Sequence, residues 1–156
     1  MKIVLNKEYA IRHLFVVVLM VALGGWFMYD AFITYPSKPA DVLYEEIEGA
    51  KAPESVELEK FKFQKIASQK GLMIAAFLVS FIVGLRLLKE YRFKLDFDDE
   101  TFTYNGKTYK FSEITSIDDR AWENKSIFYI TIGSRRLKLD GWHHLGVKEF
   151  YEKCRS

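Results

Sequence analysis

The chain has 156 residues, of which 49% are hydrophobic, and it carries 23 lysines and arginines against 21 aspartates and glutamates. The resulting formal net charge of +2 excludes a strongly basic nucleic-acid-binding protein. Its single cysteine, Cys154, excludes a disulfide within the chain.

The apolar residues are concentrated in two blocks, residues 14–33 and residues 71–88, and the corresponding predicted spans are residues 14–33 and 71–89. Each block is about 20 residues long, which is the length that an α-helix needs to cross the hydrocarbon core of a bilayer. A chain this short cannot surround two helices that are apolar on every side. The blocks therefore predict two transmembrane helices.

A basic leader, residues 1–13, precedes the first block. No small-x-small cleavage site follows that block, so we interpret it as an uncleaved anchor rather than a signal peptide. Basic residues flank the outer ends of the two blocks: Lys2, Lys7 and Arg12 before the first, and Lys89, Arg92 and Lys94 after the second. This bias predicts that both termini are cytoplasmic and that residues 34–70 lie outside.

Two charged residues, Asp30 and Arg86, lie within the predicted spans. In an antiparallel hairpin they would lie near opposite faces of the bilayer, so we expect each to reach its own interface rather than to pair. Small residues in the spans allow helices to approach closely. The candidates for helix–helix packing are Gly24, Gly25, Ala75, Ala76 and Gly84.

The sequence of the intervening segment, residues 34–70, predicts that it forms two helices. Ser37 is a candidate N-cap of the first helix and Gly49 its candidate stop. The second helix can begin at Pro53 and run unbroken into the second span. The segment is either a solvated helical hairpin or a docking surface for another membrane subunit, and the sequence does not separate these alternatives.

From residue 90 onward, apolar and polar residues alternate, which is typical of β-strands. Asn105-Gly106 is a strong hairpin signal, and residues 98–100 and 123–125 predict further turns. Towards the end, Val147, Phe150, Tyr151 and Cys154 fall on one stripe of an amphipathic helix. The predicted fold is therefore an α+β membrane protein, with a two-helix transmembrane hairpin followed by a small antiparallel β domain, residues 90–156, which that helix closes.

The sequence "RRLKLDGWHH" places an aspartate and two histidines just before this helix. Adjacent histidines point in different directions, so a zinc ion would need two further ligands, with Asp140 as the one local candidate. We therefore interpret His143 and His144 as a partly exposed strand–helix junction. No catalytic, cofactor-binding or metal-binding residue is predicted.

The order of about six short strands and a closing helix, with "KTYKFSEITSIDDRAW" and "RRLKLDGWHH", resembles bacterial pleckstrin-homology-like (PH-like) domains attached to transmembrane helices. The resemblance covers about the last 65 residues and implies a two-span protein of the bacterial cytoplasmic membrane. It carries no activity and no functional residues with it.

A lipid-headgroup site in such a domain would need clustered cations. The candidate residues for headgroup or partner contact are Arg135, Arg136 and Lys138, with Lys107 and Lys110 on another hairpin. However, residues 90–156 hold twelve basic and twelve acidic side chains, which gives the domain no net attraction to an anionic surface.

Three classes of function remain. The sequence favours a non-enzymatic accessory or scaffolding subunit that packs against other integral-membrane subunits in the bilayer. The alternative is a membrane-anchored lipid-headgroup sensor. An enzyme or transporter is disfavoured because the sequence has no nucleophile–base pair, phosphate-binding loop or metal-ligand spacing.

Overall fold

The computed structural model describes residues 1–54 and 57–155. The chain divides into two compact units, which we call the terminal unit and the helical unit. The terminal unit combines Met1–His13 with Leu85–Ser156, and the helical unit is Leu14–Gly84. The expected α+β architecture, with two long apolar helices and antiparallel sheets, is confirmed.

The helices account for both apolar blocks. They are α1 (Lys7–Tyr29), continued by a π-helical turn at Asp30–Thr34, then α2 (Tyr35–Ser37), α3 (Ala40–Glu48), α4 (Leu58–Arg92), α5 (Trp122–Lys125) and α6 (Val147–Arg155). Asn6 caps the first of them, because its side-chain oxygen accepts a hydrogen bond from the Glu8 N–H at 3.0 Å. The 35 residues of α4 run without interruption through the second apolar block, as expected.

Two predicted helix boundaries in the intervening segment are wrong. Ser37 does not cap α3: it ends α2, where its hydroxyl donates to the Thr34 carbonyl at 2.9 Å, and Pro39 occupies the N-cap position. The following helix begins at Leu58 rather than at Pro53. Gly49 does end α3, in the left-handed conformation with φ +74°, because glycine has no Cβ to oppose it.

The helical unit buries few side chains. A Cβ on Gly24 would lie 2.9 Å from the Phe77 ring, so α1 and α4 approach closely there. The Ser80 hydroxyl donates to the Val17 carbonyl at 3.4 Å, one turn further along α4. Near the other end, Lys62 of α4 donates to the carbonyls of Pro36 (3.1 Å) and Lys38 (2.6 Å), which satisfies acceptors where α2 ends.

The terminal unit contains two antiparallel sheets. Its strands are β1 (Lys2–Leu5), β2 (Leu95–Phe97), β3 (Thr101–Tyr104), β4 (Lys107–Lys110), β5 (Ile114–Asp118), β6 (Ile127–Ile132), β7 (Arg135–Asp140) and β8 (His144–Leu145). One sheet has the order β4-β3-β2-β1-β8 and the other the order β5-β6-β7.

Strand β1 comes from the segment that the sequence analysis treated only as a basic leader. It pairs with β2 on one side, through Lys2 with Asp96, and with β8 on the other, through Val4 with Leu145. The strand therefore fills the gap between two parts of the C-terminal region, so that residues from both ends of the chain form one sheet.

Most predicted turns are confirmed. Asn105 (φ +50°) and Gly106 (φ +79°) form the tight turn between β3 and β4, and residues 98–100 connect β2 to β3. The expected turn at residues 123–125 is instead the short helix α5, which ends at Ser126 with φ +52°.

The core of this unit lies between the sheets and α6. Phe150 of α6 is fully buried and packs against Phe97 and Phe102, with ring centroids 5.2 and 5.4 Å away. The predicted stripe of α6 is confirmed at Val147 and Phe150. Cys154 is half-buried at the edge of this core, and burial raises the pKa of its thiol to about 12.

Candidate functional site

A strongly charged concavity of the terminal unit is a cleft of about 370 Å³ beside the end of α4, which we call the basic cleft. It is bounded by the last turn of α4, by β7 and by the turn that follows β3. Its charged lining consists of Lys89, Glu90, Arg92, Arg136, Lys138 and Asp140. Four cations thus face two carboxylates in one opening, although the unit as a whole is balanced in charge.

The two histidines line the same cleft, and they are buried rather than partly exposed. His143 is 8% exposed and His144 is 4% exposed. The expectation of an exposed junction is wrong because β1 packs beside them: Leu5 pairs with His144, and the Asn6 N–H donates to the His143 carbonyl at 2.8 Å.

Both histidine rings face one carboxylate, although adjacent histidines were expected to diverge. The Nδ1 atom of His143 lies 3.3 Å from Oε1 of Glu90, and the Nε2 atom of His144 lies 3.8 Å from Oε2. His144 Nε2 also donates to the Glu90 backbone carbonyl at 3.2 Å, which satisfies an acceptor in the last turn of α4. Glu90 therefore connects the end of the long helix to β8.

Asp140 is a buried carboxylate with partners of its own. It accepts hydrogen bonds from Lys138 Nζ at 2.9 Å and from the Trp142 N–H at 3.1 Å. Burial lowers the pKa of His143, and the negative charges of Asp140 and Glu90 oppose this effect only in part. His143 is therefore neutral at pH 7, and its buried Nδ1 makes no hydrogen bond with any residue that the structure describes.

The four cations of the basic cleft differ in how they are held. Arg136 donates to Asp118 at 2.8 Å and lies over the Tyr129 ring at 4.3 Å, while Lys138 is held by Asp140. Lys89 and Arg92 are exposed, and within residues 1–54 and 57–155 no carboxylate forms an ion pair with either. These two charges are therefore available to a ligand.

A neighbouring shallow site, of about 510 Å³, shares Arg136 and Lys138 with the cleft. Here Arg120 donates to Asp118 through two nitrogens, both at 2.9 Å. Arg120, with help from Arg136, lowers the pKa of Asp118 to about 2. Because these charges are already matched with one another, this site offers less to a ligand than the basic cleft does.

The structure separates the five cations that the sequence analysis grouped together. Arg136 and Lys138 line the basic cleft, whereas Arg135 is exposed at the start of β7. Lys107 and Lys110 lie on β4, at the edge of the other sheet, and do not line the cleft. Lys89 and Arg92 were used only to predict orientation. The sequence feature that could have identified these two residues is their position directly after the apolar block.

The small residues of the spans also fall into two groups. Gly24 and Ala76 are buried within the helical unit. Ala75 is exposed, and a Cβ on Gly25 would meet no atom within 4 Å. Gly84 has the same open space beside it. The last three residues therefore present small side chains that are not used in packing within the described chain.

Among residues 1–54 and 57–155, no group of three or more histidine, cysteine, aspartate or glutamate side chains has an arrangement that could hold a metal ion. What the basic cleft offers is two unpaired cations at its rim, two matched ones in its wall and a buried imidazole.

Comparison of the chain with protein-family models, with curated proteins and with solved structures gives no match. The likeness of residues 90–156 to PH-like domains therefore stays a prediction. The function has to be inferred from the residues of the chain itself.

Proposed function

We propose that this protein is a non-enzymatic accessory or scaffolding subunit of a membrane complex, with α1 and α4 crossing the bilayer as a hairpin. The observation that carries the proposal is the exposure of these helices. In each of them, only 11% of the most apolar 18-residue stretch is buried. A core helix of a water-soluble protein would be mostly buried, and exposed apolar area on this scale needs a hydrocarbon environment.

The pairing of β1 supports the topology. Residues before α1 and residues after α4 belong to the same sheet, so in a bilayer that both helices cross, the start of α1 and the end of α4 must lie on the same side. The excess of lysine and arginine at this side favours the cytoplasm, and with it the bacterial cytoplasmic membrane as the location. The terminal unit would then be a cytoplasmic PH-like module.

A partner in the membrane is supported by the small residues that the hairpin leaves unused. Gly25 and Gly84 have open space where a Cβ would lie, and close helix–helix contacts in membranes are built on such positions. The exposed acidic and basic side chains of α3 and the start of α4 offer a second contact outside the bilayer.

Membrane insertion is tested by extraction of native membranes at alkaline pH, with reporter fusions at both ends of the chain. We expect the protein to stay in the pellet and both reporters to be cytoplasmic. Release into the supernatant, or reporters on opposite sides, would contradict the hairpin.

The accessory role is tested by solubilising native membranes gently and measuring the mass of the particle that contains the protein. We expect a particle larger than the monomer with its bound lipid. Gly25→Leu and Gly84→Leu should shift it to the monomer, whereas Phe81→Leu, a change of size on an exposed apolar residue, should not. A monomer in the unaltered protein would sink the proposal.

A further inference from the structure

The rim of the basic cleft carries charge that the fold does not use. Lys89 and Arg92 lie on the last turn of α4, and no carboxylate among the described residues pairs with them. Of the two carboxylates of the cleft, Asp140 is matched by Lys138 and also accepts from the Trp142 N–H. The single negative charge of Glu90, which faces both histidines, is outnumbered by Lys89 and Arg92. The remaining charge of the cleft is therefore positive.

A second observation points to a ligand in the same place. His143 lines the cleft, and its buried Nδ1 atom makes no hydrogen bond with any described residue, although Oε1 of Glu90 and Oδ2 of Asp140 lie 3.3 and 3.6 Å from it. A buried polar atom without a partner costs free energy, so native proteins seldom keep one that no ligand or water satisfies. As an N–H, this atom can donate to an oxygen of a bound anion.

We propose that the basic cleft binds a phosphate group, with Lys89 and Arg92 as its principal cationic contacts and Arg136 and Lys138 in the wall behind them. Arginine matches phosphate geometry with two parallel N–H donors, and lysine supplies a compact point charge. A volume of about 370 Å³ is ample for a phosphate and the group esterified to it.

The position of the cleft along the chain favours a lipid as the source of the phosphate. Leu88 is the last residue of the apolar block, and Arg92 follows it by four residues, or roughly 6 Å along the helix axis. Phospholipid headgroups lie at that height above the hydrocarbon core. This choice of source rests on the proposed membrane anchoring, whereas the phosphate site itself does not.

The experiment uses the full-length protein in lipid nanodiscs. In one arm, nanodiscs of phosphatidylcholine with and without phosphatidylglycerol are analysed by native mass spectrometry for retained anionic lipid. In the other arm, glycerol 3-phosphate and inorganic phosphate are titrated calorimetrically into phosphatidylcholine nanodiscs. Retained phosphatidylglycerol identifies a lipid, and binding of the soluble probes alone identifies a free phosphate ester. Binding in neither arm overturns the proposal.

The decisive variant is Lys89→Gln with Arg92→Gln, matched by Lys107→Gln with Lys110→Gln, which removes the same charge from the edge of the other sheet. We expect the first pair to weaken binding by about tenfold or more and the second to leave it within about twofold. Equal loss in both pairs would reveal general surface attraction and overturn the site, as would no loss in the first.

All four replaced side chains are exposed, so we expect both pairs to fold. If the variant with both Lys89→Gln and Arg92→Gln does not fold, Arg92→Gln alone is tested instead. We expect it to weaken binding by about fivefold. Binding by the unaltered protein must also weaken as salt is raised, because exposed charges are screened. The proposed membrane anchoring fails separately, by release of the protein at alkaline pH.

Discussion

The two units of this protein contain similar apolar residues but differ in how far they bury them. In the terminal unit, side chains such as Phe102, Phe128 and Phe150 are fully buried between two sheets and a helix. In the helical unit, residues of the same type, such as Phe63 and Phe81, are 72% and 63% exposed. The comparison teaches that apolar content alone does not say how a segment is stabilised. A unit with its own core is held by internal packing, whereas an exposed apolar hairpin relies on its surroundings.

The contrast between the two units is tested most directly by replacing one phenylalanine in each unit with alanine. Phe150→Ala removes a ring that contacts Phe97 and Phe102, so we expect the terminal unit to lose about 3–5 kcal/mol of unfolding free energy. Urea denaturation in nanodiscs measures it. Phe81→Ala, at a residue 63% exposed in the helical unit, is the control and should cost far less in the same assay. Similar losses would mean that both units rely on internal packing.

The membership of β1 in the terminal unit is tested by two adjacent residues on opposite faces of that strand. Ile3 is 3% exposed and Val4 is 48% exposed. We expect Ile3→Ala to destabilise the unit by about 2–5 kcal/mol and Val4→Ala to change it by less than about 0.5 kcal/mol. Hydrogen exchange in β6, which does not touch β1 in the sheet order, should speed up only in the first variant. If Ile3→Ala leaves hydrogen exchange in β6 unchanged, β1 does not contribute to the stability of the core.

A smaller effect is expected at Gly146, which lies close to β1. Gly146 has φ +86°, and a Cβ there would lie 2.9 Å from the Lys2 carbonyl oxygen. Gly133 also has positive φ (+56°), but its Cβ would meet nothing within 4 Å. Both Gly→Ala variants should lose roughly 1–2 kcal/mol for the left-handed backbone, and Gly146→Ala should lose more because of the close contact. Equal thermal midpoints for the two variants would show that β1 can move away at no cost.

The terminal unit also shows which parts of a structure a sequence can predict. The hairpin at Asn105-Gly106 and the stripe of α6 were predictable because each depends on residues that are neighbours in the chain. Strand β1 was not, because four residues are too few to carry a period and its partners, such as Asp96, lie more than ninety residues away. Local patterns do not encode such long-range pairings.

The candidate site was missed for a related reason. The burial of His143 and His144 follows from β1, and the sequence predicts only a basic leader there. The sequence alone therefore predicts these histidines at the surface. Lys89 and Arg92 were visible as charges after the apolar block. That they share a cleft with Lys138 depends on where the end of α4 lies relative to β7, which a pattern within either element does not reveal.

The smallest expected effect is a dependence of stability on pH that belongs to the terminal unit. Burial lowers the pKa of His143 below its ordinary value of 6.5, with Glu90, Asp140, Lys138 and Arg86 as the charged groups that modify it. The unfolded chain therefore takes up a proton before the folded unit does. The contribution of the neutral imidazole is fully present above about pH 6.5 and is lost as the pH falls through the folded pKa.

We therefore expect the urea midpoint of the terminal unit to fall between pH 7.5 and pH 5.5, and His143→Gln to flatten part of that fall. Gln keeps a polar group in the site but cannot take up the proton, so a loss of slope reports the titration rather than the packing. His13→Gln, which replaces a histidine of α1 that does not line the basic cleft, should leave the slope as it is. A slope that His143→Gln leaves intact would assign the titration to other groups. A slope that His13→Gln removes would place it at the start of α1 instead of in the basic cleft.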